Sequence, residues 1–110
     1  KGWLLGIQFE TLFEDGLYFE ICKHAVDQAM RIKKAFVDKG VPMHVDSASN
    51  QQFFMLSADL IKKFDEKYAT CDDEKPTGNA VRSVRFCTSW ATKETEIEEL
   101  DKELSKLLKA

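Results

Sequence analysis

Arg85 is the side chain of this sequence best placed to do chemistry. It lies in Val81-Arg82-Ser83-Val84-Arg85-Phe86-Cys87-Thr88-Ser89-Trp90, within the strongest strand pattern of the chain, from Ala80 to Thr88. Alternate residues of a strand share a face. Val84, Phe86 and Thr88 then face the core under the helices, and Ser83, Arg85 and Cys87 lie on the other side. A guanidinium on a central strand requires an anionic partner, because burying it unpaired is costly. Two partners are open. One is a ligand carboxylate, which accepts two parallel hydrogen bonds from the planar fork. The other is an internal salt bridge to Glu or Asp.

The remaining candidates are weaker. Cys22 and His24 stand two apart on an expected helix and point in different directions, so a core Cys beside a surface His is the reading for them. His44 is alone in a short strand. Asp72-Asp73-Glu74 lacks the alternating ligands and the glycine of a calcium loop, and reads as a solvated loop. There is no Gly-rich phosphate cradle and no Ser/His/Asp order. Cys22, Cys71 and Cys87 fall at spacings that suggest neither a disulfide framework nor a zinc site, which fits a reducing cytoplasm. No catalytic residue and no metal ligand is assigned.

The elements that must position Arg85 follow from periodicity. Gly2 to Phe13 is helical in spacing, and Glu14-Asp15-Gly16 breaks it. A longer helix runs from about Leu17 to Lys39, with Phe19, Cys22, Val26, Ala29, Ile32 and Phe36 as its apolar stripe, and Gly40 closes it. Met43–Asp46 and Gln52–Leu56 read as short strands joined by Ser47-Ala48-Ser49-Asn50. Ser57 caps a short helix carrying Leu60, Ile61 and Phe64. Tyr68 to Cys71 is a third strand, followed by the polar loop 72–79 and the Arg85 strand. Thr92 caps a last helix with Glu94 and Glu96 at its start and Ile97, Leu100, Leu104 and Leu107 as its stripe. The expected fold is α+β, a two-layer sandwich of a small, mainly antiparallel sheet with flanking helices.

The whole is 110 residues, 44% hydrophobic and 32% charged, a globular balance for a single domain spanning 1–110. Sixteen Lys and Arg against nineteen Asp and Glu give a net charge of −3. That balance disfavours nucleic acid as a partner, and with it an RNA-binding α+β domain, which needs paired aromatics among basic residues on a strand. No apolar run is long enough to cross a bilayer, so no membrane partner is expected. The chain starts at Lys1 rather than Met, and a piece of a longer protein is the expectation.

Several segments carry a family resemblance. They are Lys1-Gly2-Trp3-Leu4-Leu5-Gly6-Ile7-Gln8-Phe9, Leu12-Phe13-Glu14-Asp15-Gly16-Leu17-Tyr18, Asn50-Gln51, and Arg85-Phe86-Cys87-Thr88-Ser89-Trp90-Ala91-Thr92. Together they resemble the carboxy-terminal part of the threonine aldolase and aromatic amino acid β-eliminating lyase family, pyridoxal phosphate enzymes of the aspartate aminotransferase fold type. The resemblance implies a carboxy-terminal small domain that closes over the substrate. Its partner is a large domain of the same enzyme, which holds the cofactor and the Schiff-base lysine, and the full-length protein is a homo-oligomer. It implies that Arg85, which opens the Arg-Φ-x-Thr segment, binds the α-carboxylate of the amino acid substrate. In the family the Schiff-base lysine lies upstream of this chain, so Lys1 is a helix-start residue, and Gly6 and Gln8 receive no catalytic role. The parent needs pyridoxal phosphate, whereas this fragment alone is expected to carry no cofactor and to be inactive. A β-hydroxy amino acid such as threonine and an aromatic amino acid both remain open as substrate. The rival is a stand-alone protein-interaction domain without catalysis, docking through the Trp3 and Phe9 region. A large apolar patch on the first helix marks the fragment; a small one, or a dimer across it, marks the module.

Overall fold

The structure is a computed structural model and describes residues 1–72 and 80–109. Helix α1 (Gly2–Phe13) runs through a tight turn, Glu14–Gly16, into helix α2 (Leu17–Val37). The break falls where the sequence places it, and its cause is local. Asp15 and Gly16 both take left-handed conformations, with φ of 52° and 74°, which ends one helix and re-aims the next. Gly40, at φ 78°, closes α2. Its N–H donates to the Val37 carbonyl and that of Val41 to the Phe36 carbonyl, at 2.9 and 3.1 Å. This double return bond satisfies the last free carbonyls of the helix.

Strands β1 (Met43–Val45), β2 (Gln51–Ser57), β3 (Cys71–Asp72) and β4 (Val81–Cys87) form one antiparallel sheet in the order β1-β2-β4-β3. Between β2 and β3 comes helix α3 (Ala58–Asp65), and after β4 comes helix α4 (Glu94–Lys109). The α+β two-layer architecture is therefore the one read from the sequence. Ser57 caps α3 as expected, its hydroxyl accepting from the Leu60 N–H. The β2–β4 register sets Phe54 opposite Val84 and Gln52 opposite Phe86. Phe54, Leu56, Val84 and Phe86 thereby share the face that packs against Phe36, Phe64, Ile97, Leu100 and Leu104. Phe54 stacks on Phe36 at 4.1 Å between ring centres and 7° between planes.

Three expectations are corrected. The apolar stripe of α2 does not start at Phe19. Phe19 and Cys22 are exposed, and burial begins at Ala25 and continues through Gln28, Ala29, Ile32 and Phe36. The sheet and α4 cover only the second half of this long helix. The third strand is Cys71–Asp72 rather than Tyr68–Cys71, because the Tyr68 N–H still bonds back to the Phe64 carbonyl at 2.7 Å and extends the turn of α3. Thr92 does not cap α4. Its hydroxyl accepts from the Ser89 N–H, and Glu96 reaches back instead to the N–H of Lys93, both at 2.9 Å. The loop around Asp73 and Glu74, considered above for a cation, lies outside the described residues. No helix among the described residues is long and apolar enough to cross a membrane.

Candidate functional site

β4 is an interior strand, flanked by β2 and β3. Its last residues lead into a segment tied down from two sides, by Asn50 and by α2. Asn50, the residue before β2, donates through Nδ2 to the Thr88 carbonyl at 2.8 Å, and the Thr88 N–H returns to the Asn50 carbonyl at 3.0 Å. Thr88 is buried, and its hydroxyl donates to the Ala25 carbonyl of α2 at 2.5 Å. His24 Nε2–H donates to the Thr92 carbonyl at 2.8 Å. His24 is therefore a half-buried structural residue and Cys22 an exposed one, the reverse of the expected pair. The segments around Asn50 and around Arg85–Thr92, far apart in the chain, thus interlock. Such clamping fixes the end of β4 and the segment after it in one geometry.

A cleft of about 410 Å³ opens beside this segment. β3 pairs with β4 only as far as Arg85, so the strand edge beyond is left open with α4 standing along it. Arg85, Tyr68, Cys71, Cys87, Glu96 and Glu99 are among the residues lining it. Arg85 is half-buried, and its Nε is buried without a hydrogen-bond partner among the described residues. The described acids that form ion pairs do so elsewhere. Glu94 and Glu98 meet Arg31, Asp101 meets Lys39, and Glu103 meets Lys67 and Lys106. Arg85 has no carboxylate partner among the described residues. A buried donor without an acceptor is uncommon in a native structure and calls for an explanation.

The remaining sequence candidates stay apart from this site. His44 is exposed on the edge strand β1. Among the described residues no group of three His, Cys, Asp or Glu side chains could hold a metal ion. Sequence reasoning passed over Tyr68, whose hydroxyl is also buried without a partner among the described residues. Electrostatic interaction with Tyr68, joined by Glu103 and Glu99 and opposed by burial, shifts the Lys67 ammonium upward from its ordinary pKa.

The cleft can be tested for a fit to pyridoxal phosphate. Among the described residues lining it there is no lysine for a Schiff base and no glycine-rich turn for a phosphate, and Arg85 is its one cation. That donor set does not make a cofactor site. It does suit a small anion.

No protein-family model matches the chain, and no curated protein matches it either. A solved structure does match, that of Leishmania major threonine aldolase, with a TM-score of 0.90 and 36% sequence identity over 98% of this chain. The chain is similar to one domain-sized part of a threonine aldolase. It spans 31% of that protein's length. The resemblance to the threonine aldolase family carried by the sequence segments is thus shown in three dimensions as well. The likeness covers nearly every residue of this chain and under a third of that protein.

Proposed function

We propose that residues 1–110 are the carboxy-terminal small domain of a pyridoxal phosphate-dependent amino acid lyase of the threonine aldolase or β-eliminating type. In this reading Arg85 binds the substrate α-carboxylate, and the domain closes the active site over it. The observation that carries the role of Arg85 is its buried Nε, without an acceptor among the described residues, on a clamped strand beside an open cleft. An arginine that served the fold alone would be expected to hold one of the nearby acids. Bound there, a carboxylate would accept parallel bonds from the fork and fix the amino acid in one orientation, which contributes rate by positioning. Pyridoxal phosphate, held in the large domain, would supply the electron sink, and this chain does not provide that chemistry.

The surface of α1 supports the same reading over a stand-alone module. None of its residues is buried, and Trp3, Leu4, Leu5, Ile7, Phe9 and Phe13 are all exposed, Trp3 to 88%. So many exposed apolar side chains on one short helix mark a surface that is covered in the assembled protein, by the large domain in this reading.

The carboxylate reading is tested by titrating the full-length protein with L-threonine and with L-threoninamide, which lacks the negative charge. Charge-assisted bonding to the guanidinium should make the acid bind at least about tenfold more tightly. Equal affinity for the two would remove the role assigned to Arg85.

A further inference from the structure

Arg85 Nε is not alone among the polar atoms of the cleft residues in lacking a hydrogen-bond partner among the described residues. Tyr68 lies in the turn that extends α3, its ring against Phe64 with 6.0 Å between ring centres. Its hydroxyl is buried, lacks a hydrogen-bond partner among the described residues, and belongs to a residue that lines the same cleft as Arg85. Glu96 and Glu99 line that cleft too, yet neither carboxylate accepts from the Tyr68 hydroxyl or from Arg85 Nε. Each orphan donor carries a desolvation cost, and two beside one cleft double it. Local packing does not explain the Tyr68 oxygen, since phenylalanine would make the same ring contact without that cost. Two unpaired donors on residues that line one cleft are what an anion with at least two acceptor oxygens would satisfy.

We propose that Tyr68 is a second donor to the carboxylate bound by Arg85, its phenol O–H and the guanidinium holding the two ends of one planar group. This rests on the carboxylate reading of Arg85 and adds a residue to it. A neutral donor supplies direction without further charge. It accepts no rotation of the carboxylate that leaves its own hydrogen unpaired, so it orients as well as binds.

Tyr68→Phe separates this from a packing role, because it keeps the ring and removes only the oxygen. The measurement is calorimetric titration of the full-length, cofactor-loaded protein with L-threonine, together with the thermal midpoint of the ligand-free protein. Loss of one hydrogen bond to a charged acceptor should weaken L-threonine about tenfold, while the ligand-free midpoint stays level or rises, since a buried orphan has gone. Unchanged affinity with a raised midpoint would show an oxygen that is only a cost of packing, and would overturn the proposal. Arg85→Lys, measured alongside, keeps the two readings apart. If it weakens binding and Tyr68→Phe does not, Tyr68 alone is dismissed. If neither weakens it, or the unaltered protein binds neither L-threonine nor an aromatic amino acid such as L-tyrosine, the carboxylate reading falls and the Tyr68 proposal with it.

Discussion

Arg85→Ala in the full-length protein should raise KM for the amino acid by roughly thirtyfold or more, because truncating one partner of a hydrogen-bonded charge pair costs about 2–5 kcal/mol. Pyridoxal phosphate content should be unchanged, since none of the groups that hold it is expected in this chain. Some loss in kcat should accompany the rise in KM, because a carboxylate no longer held lets the reacting bond turn out of line. Arg85→Lys should recover only part of the loss. An ammonium restores the charge but not the two parallel N–H groups. The free protein should tolerate either change, as the Arg85 side chain has no ion pair to lose among the described residues. Steady-state kinetics beside a thermal melt decides the matter. Unchanged kinetics with a lowered melting point would make Arg85 a structural residue.

Phe54→Ala should cost about 3–5 kcal/mol of stability, the range for a large side chain removed from a packed core. Phe54 has no exposed surface, stacks on Phe36, and faces Val84 across the central strand pair. Phe86 approaches both rings, at 6.0 Å from Phe54 and 5.0 Å from Phe36. The cavity would therefore open at the junction of β2, β4 and α2, where neighbours on three elements cannot all collapse into it. A loss of that size is a large part of the margin of a typical domain. It would be felt at Arg85, since Phe53, the next residue of β2, pairs with Arg85 in the register. Urea unfolding measures the effect. A loss below about 1 kcal/mol would mean that the core is not organised around this ring stack.

Fold and site were legible in the sequence to different depths. The stripe of α4 was plain because Ile97, Leu100 and Leu104 each face one continuous core, and all three are buried. The break at Asp15-Gly16 was plain because positive φ is a local demand that few residues meet. The first half of α2 misled. Phe19 and Cys22 have helical spacing, but spacing says that a face is apolar and not what covers it. The Thr92 cap misled for a related reason, since its hydroxyl had a nearer donor in Ser89 than in the helix. At the site, period two placed Arg85 opposite in face to Val84 and Phe86. Its lack of a partner could not be read that way, because ion pairing depends on which carboxylates the fold brings close. Tyr68 was hidden by its assignment to a strand, where a buried hydroxyl has no special meaning. One more turn of α3 moves it to the cleft.

The central claim is that this chain serves an amino acid lyase as the part that grips the substrate. The most direct test is the intact mass of the protein in its source, taken with an absorbance scan during addition of L-threonine. A protein several times longer than 110 residues, with a visible Schiff-base band that L-threonine perturbs, is the expected result. A native species of this chain alone, with no such band, would contradict the account and leave an interaction domain built around the exposed apolar residues of α1.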